Sequence, residues 1–215
     1  MAFPIVFTKQ LGAASVNSIA GSQSPGAGAI TLTAATVTID TATTANTQVG
    51  RRVILTSGGN DLGVTFTVTG TNASGSVISD SFLGASGGAA QSNLDFVTVN
   101  GLTHTGSIAS TIEAGTNGVG SSPWITLNWH SQLINVGFAI ELVSGACNFT
   151  MQYAYDDPNN LLAGATYPLP FNHSVVVGAS ATTDGVFAMP ISAVRVFINS
   201  GTGAIRVRVL QAAIG

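Results

Sequence analysis

Charge is what this sequence has least of. Asp, Glu, Lys and Arg make up 7% of its 215 residues, where an ordinary soluble domain carries about 25%. Lys9 is the only lysine, so no phosphate-binding loop ending in Gly-Lys-Ser/Thr can follow it. With six basic residues and a net charge of −3, the chain has few cations to displace counterions from DNA. We therefore expect no nucleic-acid partner.

Cysteine and long apolar runs are scarce as well. Cys147 is the single cysteine, which excludes an internal disulfide and a cysteine-based zinc site and predicts a small core residue in a strand. No run approaches the roughly 18 apolar residues of a membrane-spanning helix. Residues 1–9 lack the basic start of a signal peptide. We expect no membrane partner and no targeting segment.

What the sequence does contain is alternation with a period of two residues. Thr and Ser alternate with Val, Ile, Leu and Phe, while Gly, Asn and Asp mark turns. Residues 64–68 place three apolar side chains on one face and two threonines on the other, and residues 71–75 have the composition of a turn, which predicts a hairpin. A short helix within residues 11–23 is the one exception. The pattern predicts an all-β fold.

The chain is long enough for two domains. Residues 115–122 are rich in glycine and serine and uncharged, which is a linker composition, and aromatic residues become denser after them. We predict two β-sandwich domains: residues 29–119, and residues 120–215 with a jelly-roll-like arrangement of short strands. Residues 1–28 are predicted to form an extended N-terminal arm.

The predicted arm has too few apolar residues to bury them by itself. Its apolar residues are Phe3, Ile5, Val6 and Phe7, and Pro4 favours an extended chain. We expect the arm to reach onto a neighbouring subunit, with Phe3, Ile5 and Phe7 as interface residues.

Half of the basic residues lie near the C-terminus. If residues 200–203 form the turn of a hairpin, Arg195 lies opposite Arg208 and Arg206 shares their face. Like charges directly opposite are unfavourable. The three arginines are either splayed in solvent, with one held by Asp184, or they form a contact site for an acidic patch on a partner protein.

Candidate catalytic and metal-binding residues are few. The cluster at residues 156–160 has four side chains that could offer oxygen ligands to Ca²⁺, but its spacing is that of a structural turn rather than a calcium loop. Glu113 and Glu141 do not form a recognisable glycosidase pair, and no Gly-x-Ser-x-Gly motif occurs. The histidines show no metal spacing: His104, His130 and His173. We expect no enzyme, catalytic residue, metal or cofactor.

The lack of charge has a consequence for assembly. Soluble β proteins protect exposed sheet edges with lysine, proline or inward-pointing charges, and a chain of many strands with one lysine is at risk of edge-to-edge association. Obligate interfaces are depleted in charge at their centres. The composition is typical of a protein packed into a large particle.

Several stretches resemble small virion structural proteins of tailed bacteriophages: residues 51–75, 118–125, 135–139, 155–158, 171–173 and 189–195. The resemblance implies a non-enzymatic capsid decoration or cement protein with a β-sandwich or jelly-roll fold. Its partners would be the major capsid protein of the same phage and copies of itself as a homo-oligomer. It would assemble in the bacterial host cytoplasm and lie on the capsid surface of the virion.

Two alternatives remain at this point. One is a tail or head-tail connector component. The other, from a different functional class, is a carbohydrate-binding adhesin module in which Trp124, Trp129 and Tyr167 act as stacking platforms for sugar rings.

Overall fold

The computed structural model describes residues 4–26, 28–40, 49–128, 135–161 and 167–211. In these residues the regular structure is β throughout, with seventeen strands and no helix. The predicted all-β class is therefore confirmed. The strands are β1 Ile5–Gln10, β2 Ser15–Gln23, β3 Gly28–Ala29, β4 Val37–Thr38, β5 Gly50–Ser57, β6 Thr65–Thr71, β7 Val77–Leu83, β8 Ala89–Phe96, β9 Thr98–His104, β10 Ile112–Ser121, β11 Ile125–Thr126, β12 Val136–Ser144, β13 Cys147–Ala154, β14 Phe171–Asn172, β15 Thr183–Phe187, β16 Ala193–Gly201 and β17 Ala204–Gln211.

The described residues divide into two compact units. Residues 12–40 and 49–120 form the N-terminal unit, and residues 4–11 and 121–211 form the C-terminal unit. The chain thus begins in the C-terminal unit, enters the N-terminal unit at Gly12 and leaves it again after Gly120.

The N-terminal unit has a core shared by two sets of antiparallel strands. One set has the order β3-β9-β6-β7 with β4 beside β9, and the other has the order β10-β5-β8 with β2 beside β10. Every second residue of β5 and β6 is buried, because successive side chains of a strand point to opposite faces. Phe66, Val68, Leu55 and Phe96 pack together in this core.

The hairpin predicted around residues 71–75 is confirmed. Strands β6 and β7 pair in continuous register from Thr65–Leu83 to Thr71–Val77. Asn72 closes the turn by accepting the N–H of Ser74 at 2.9 Å through its side-chain oxygen. Gly75 adopts a φ of +80°, a left-handed conformation that glycine reaches without strain.

The glycine-rich segment predicted as a linker is instead a strand. Residues 112–121 form β10, which pairs with β2. A Cβ on Gly115 would lie 1.9 Å from the carbonyl oxygen of Ser15, so glycine is needed there for the close approach of two backbones. Composition misled the sequence-based prediction because a flexible linker and a closely packed strand both favour glycine.

Replacing Gly115 with alanine is therefore expected to destabilise the N-terminal unit by about 1–3 kcal/mol or more, because backbone atoms of β2 cannot move aside as a side chain can. Gly118→Ala is the matched control. It lies in the same strand, and a Cβ there meets nothing within 4 Å, so its effect should stay within about 0.5 kcal/mol. Urea denaturation followed by circular dichroism compares the two variants, and equal midpoints would contradict this role of Gly115.

The C-terminal unit is a second β-sandwich. One sheet has the order β1-β17-β12-β15, and the other contains β14-β13-β16 with β11 beside β16. Buried residues from the facing strands fill the space between the sheets, among them Phe138, Phe149 and Met151. The rings of Tyr153 on β13 and Phe187 on β15 lie 5.5 Å apart across this space. The jelly-roll order of the strands remains a prediction.

The described part of residues 1–28 is not an extended arm. Strand β1 pairs with β17 over six residues, from Ile5–Val209 to Gln10–Ala204. The helix considered within residues 11–23 is wrong as well, since most of that segment is strand β2, which buries Ile19 and Ala20 completely. The alternation of polar and apolar residues there is weak, and β2 is recognisable only through its partner β10.

The C-terminal hairpin register predicted from the sequence is also wrong. Strands β16 and β17 are consecutive but belong to different sheets: β16 pairs with β13, whereas β17 pairs with β1 and β12. Arg195 consequently lies opposite Gln152, not opposite Arg208. The alternation of both strands was read correctly, but alternation does not tell which strand is the neighbour.

Candidate interaction surfaces

An ion-paired triad lies on the exposed face of the four-stranded sheet. Arg206 and Arg208 are two residues apart on β17 and therefore share a face. Glu141 on β12 is opposite Arg206. Its carboxylate oxygen Oε2 lies 3.3 Å from Nη1 of Arg206 and 2.8 Å from Nη1 of Arg208. Glu141 thus supplies within the chain the acidic group that the sequence analysis assigned to Asp184 or to a partner.

The electrostatics of the triad favour the ionised carboxylate. The hydrogen bond from Arg208, followed by the charges of Arg208 and Arg206, lowers the pKa of Glu141. All three side chains remain between one third and one half exposed, so the triad is accessible to a partner.

Apolar side chains surround the triad on the same face. Val6 is opposite Arg208, and Leu210 follows two residues later on the same side of β17. On the central strand β12, Gly137 is opposite Leu210 of β17 on one side and opposite Val186 of β15 on the other. These three apolar side chains are about half exposed. Asp184 lies on the same face in the row of Arg208, separated from it by Ala139, and is exposed. We call this surface the outer face: Val6, Glu141, Asp184, Val186, Arg206, Arg208 and Leu210.

The remaining residues predicted at an interface lie elsewhere. Ile5 and Phe7 belong to the opposite side of β1, where they pair with the buried Val209 and Val207. Ile5 is nevertheless exposed because β1 is the edge strand, and Phe7 is half-buried. Phe3 lies outside the described residues.

Arg195 has a separate setting in the other sheet. Its Nε donates to the side-chain oxygen of Gln152 at 2.8 Å, its Nη1 donates to Ser121 at 3.3 Å, and its guanidinium carbon lies 4.6 Å from the centre of the Trp124 ring. A cation held over an aromatic face in this way is a fixed structural element. The structure therefore brings Arg206 and Arg208 together and leaves Arg195 apart.

An exposed aromatic cluster lies where β13 and β14 end. The rings of Tyr153 and Phe171 stack with centres 5.6 Å apart, and Tyr155 contacts both rings edge-on. Tyr155 and Phe171 are substantially exposed, and burial together with the neighbouring Tyr155 raises the pKa of Tyr153. The sequence analysis noted dense aromatic residues but missed this cluster. The spacing Tyr153-x-Tyr155 in an alternating strand was its signal.

Two of the three stacking residues proposed for a carbohydrate module lie within the described residues. Trp124 is covered in part by Arg195, and Tyr167 is exposed. Trp129 lies outside the described residues. If an aromatic platform exists in this unit, its described members are Tyr155 and Phe171.

The acidic cluster and two of the histidines have structural partners. Asp156 accepts the N–H of Leu169 at 2.8 Å, and Asp157 accepts that of Asn159 at 2.9 Å, as in a turn.

His104 is buried with its ring nitrogens 3.1 and 3.0 Å from carbonyl oxygens. His173 accepts backbone N–H groups through Nδ1, so its neutral form carries the proton on Nε2. His130 lies outside the described residues.

No group of three metal-ligating side chains is assembled within the described ranges. Cys147 is buried in β13, as the sequence predicted for a small core residue, and burial raises the pKa of its thiol to about 11. A thiol in that state is a poor nucleophile near neutral pH, because the thiolate is the reactive form.

A buried ion pair in the N-terminal unit escaped the sequence analysis. Arg51 and Asp40 have no exposed side-chain surface, and Nη1 of Arg51 lies 3.6 Å from Oδ1 of Asp40. Arg51 also donates to the carbonyl oxygens of Gly12 at 2.9 Å and Ala13 at 3.2 Å, and to that of Asn117. Desolvation lowers the pKa of Arg51, and the charge of Asp40 opposes that effect.

Asp40 completes this buried network. Its two carboxylate oxygens accept the N–H groups of Gly12 and Val49, each at 2.9 Å. The partners of the pair therefore come from four separate stretches of the chain, at residues 12–13, 40, 49–51 and 117. The network joins chain segments that are far apart in sequence, which is a structural role.

The comparisons with known proteins give no family for this chain. No protein-family model matches it, and no curated protein does so either. Within the described residues there is also no helix with the length and hydropathy needed to cross a membrane. The described residues offer two candidate interaction surfaces, the outer face and the exposed aromatic cluster.

Proposed function

We propose that this chain is a non-enzymatic virion structural protein that binds the outside of a phage capsid and stabilises it. The observation that carries the proposal is the outer face, where half-exposed Val6, Val186 and Leu210 surround the ion-paired triad of Glu141, Arg206 and Arg208. A surface of this kind loses water at lower cost than one with unpaired charges. The resemblance of residues 51–75 and 189–195 to phage virion proteins is consistent with it.

The mechanism would be mechanical. Copies of the protein bridge neighbouring subunits of the major capsid protein, and each copy buries a modest apolar area. Many weak contacts on one lattice add up through avidity, so the shell resists pressure from packaged DNA without any single tight site. The low charge of the chain suits such close packing between copies.

The charges of the outer face provide a test on capsid particles that lack this protein. Arg206→Gln/Arg208→Gln is expected to weaken binding about twofold to thirtyfold and to flatten its salt dependence. Glu141 supplies one negative charge for the two arginines, and two exposed cations facing an acidic patch each contribute about 0.2–1 kcal/mol. Glu141→Gln should have the opposite effect, since it leaves both arginines free to meet that patch. Co-sedimentation at several salt concentrations measures both.

Unchanged particle binding in the double variant would show that attachment uses another surface. Arg52→Gln is the matched control for loss of a cation. Arg52 lies in the N-terminal unit beside Asp95, at 3.6 Å, and its replacement should leave particle binding as it was.

Saccharide binding is a second candidate function, favoured by the exposed aromatic cluster. Tyr155 and Phe171 present ring surface beside the polar turn at Asp156 and Asp157, and sugar rings stack on such surfaces while carboxylates accept their hydroxyl groups. A glycan array probed with the intact chain tests this. Signal that disappears in Tyr155→Ala and persists in Arg206→Gln/Arg208→Gln would support the saccharide function.

A tail or head-tail connector component is the remaining alternative. It would use the same low-charge β-units but occupy one position on the particle instead of the whole capsid lattice. The location of bound protein on the particle therefore separates this alternative from capsid decoration.

A further inference from the structure

Strand β1 covers one edge of the four-stranded sheet. The residues of β17 that pair with it include the almost completely buried Ile205, Val207 and Val209. Without β1 the backbone N–H and C=O groups along this edge of β17 would have no strand partner and would be open to pairing with another chain.

The strand that fills this role is itself weakly embedded. None of its six residues is buried, and Ile5 and Val6 are about half exposed. Its register with β17 joins residues about two hundred positions apart, from Ile5–Val209 to Gln10–Ala204. The pairing with β17 therefore holds β1 in place more than burial of its own side chains does.

The connection that follows β1 is very short. Only Leu11 separates the end of β1 from Gly12, whose N–H donates to Asp40 and whose carbonyl oxygen accepts from Arg51. The buried ion pair therefore fixes the chain immediately after the strand. A short connection of this kind is a site at which the preceding element can be exchanged between copies.

We propose that β1 is exchanged between copies of this chain, so that β1 of one copy pairs with β17 of the next. The occupant of the edge is a second copy because the β1 sequence already matches this edge in register and in apolar pattern over six residues. After exchange, β1 makes the same contacts with β17 of the other copy that it makes with β17 of its own chain, so copies are linked without any new type of contact. This inference deepens the proposed function, because linked copies form the continuous network that a capsid-stabilising protein requires.

The test uses two variants, each with a single cysteine, in a Cys147→Ala background. One carries Gln10→Cys and the other Ala204→Cys, two positions that face each other across β1 and β17. Opposed residues of antiparallel strands have Cα atoms about 4.5–5.5 Å apart, within reach of a disulfide. The two variants are mixed, refolded together over a range of concentrations and oxidised. Linked dimer is then measured on non-reducing gels.

Exchange predicts linked dimer at several times the level given by Gln10→Cys mixed with Ser79→Cys, an exposed position on β7. It also predicts little dimer from either single variant alone. The double variant Gln10→Cys/Ala204→Cys, oxidised in dilute solution, shows that the register is intact by forming a link within one chain. Dimer from the mixture no greater than the Ser79→Cys level at every concentration would overturn the proposal. No capsid is needed, so this outcome is independent of the capsid-binding test.

Discussion

Replacing Arg51 with methionine is expected to destabilise the N-terminal unit by about 3–5 kcal/mol. The substitution leaves the carboxylate of Asp40 buried without its counter-charge, and it removes the donor from the carbonyl oxygens of Gly12, Ala13 and Asn117. A buried charge that loses its partner retains the whole cost of its desolvation. Hydrogen exchange followed by mass spectrometry, on peptides that cover β5, measures the loss of protection.

Arg52→Met is the control for this prediction. Arg52 is the next residue of the same strand, and its side chain is 28% exposed beside Asp95, which is 10% exposed. Water still reaches this pair, so its loss should cost less than the loss of the fully buried pair. The two variants remove the same group from adjacent positions, so the difference between them reports the greater burial of the Arg51–Asp40 pair. Equal loss of protection in both would contradict the role assigned to the buried pair.

Phe187→Ala is expected to destabilise the C-terminal unit by about 3–5 kcal/mol. The Phe187 ring is almost fully buried and lies 5.3 Å from the ring of Phe138, 4.9 Å from that of His173 and 5.5 Å from that of Tyr153. Its removal leaves a cavity among rings that cannot all move inward. Tryptophan fluorescence in urea reports this unit, because Trp124 and Trp129 both come from the second half of the chain.

Phe171→Ala tests the exposed side of this aromatic group and is the control for Phe187→Ala. Phe171 contacts Tyr153 but keeps 39% of its surface exposed, so its removal loses only part of the transfer free energy of a buried ring, about 1 kcal/mol. A loss as large as that of Phe187→Ala would mean that the exposed aromatic cluster holds the sandwich together, and it would weaken the case for a binding surface there.

The features predicted well from the sequence are local ones. The β6–β7 hairpin follows from alternation in residues 64–68 and from a turn in which Asn72 and Gly75 meet known backbone requirements. The burial of Cys147 follows from its residue type. Each of these depends on neighbours within a few positions along the chain.

The features that the sequence did not predict depend on partners far along the chain. The alternation of polar and apolar residues in β17 is the same whether β17 pairs with β16 or with β1. The pattern therefore indicated which face of β17 is buried but not which strand lies beside it. The triad required knowing that Glu141 on β12 faces Arg206. Arg51 and Arg52 are adjacent residues of the same type, so nothing in the sequence indicated that Arg51 is fully buried. Its partner Asp40 comes from a separate stretch of the chain and not from a neighbouring turn.

Glycine composition failed for a related reason. The segment at residues 115–122 has the composition of a flexible linker, yet Gly115 serves the contact between β2 and β10. The buried Ile112 and Ala114, which alternate just before it, were a signal that the strand begins there.

The central claim, that this chain decorates a phage capsid, is tested most directly by electron cryo-microscopy of capsids of the same phage with and without added protein. The account predicts additional density on the outside of the shell at repeated lattice positions, into which the two β-units fit with the outer face of the four-stranded sheet toward the capsid. Density confined to the tail or to one vertex, or particles that are identical with and without the protein, would contradict it.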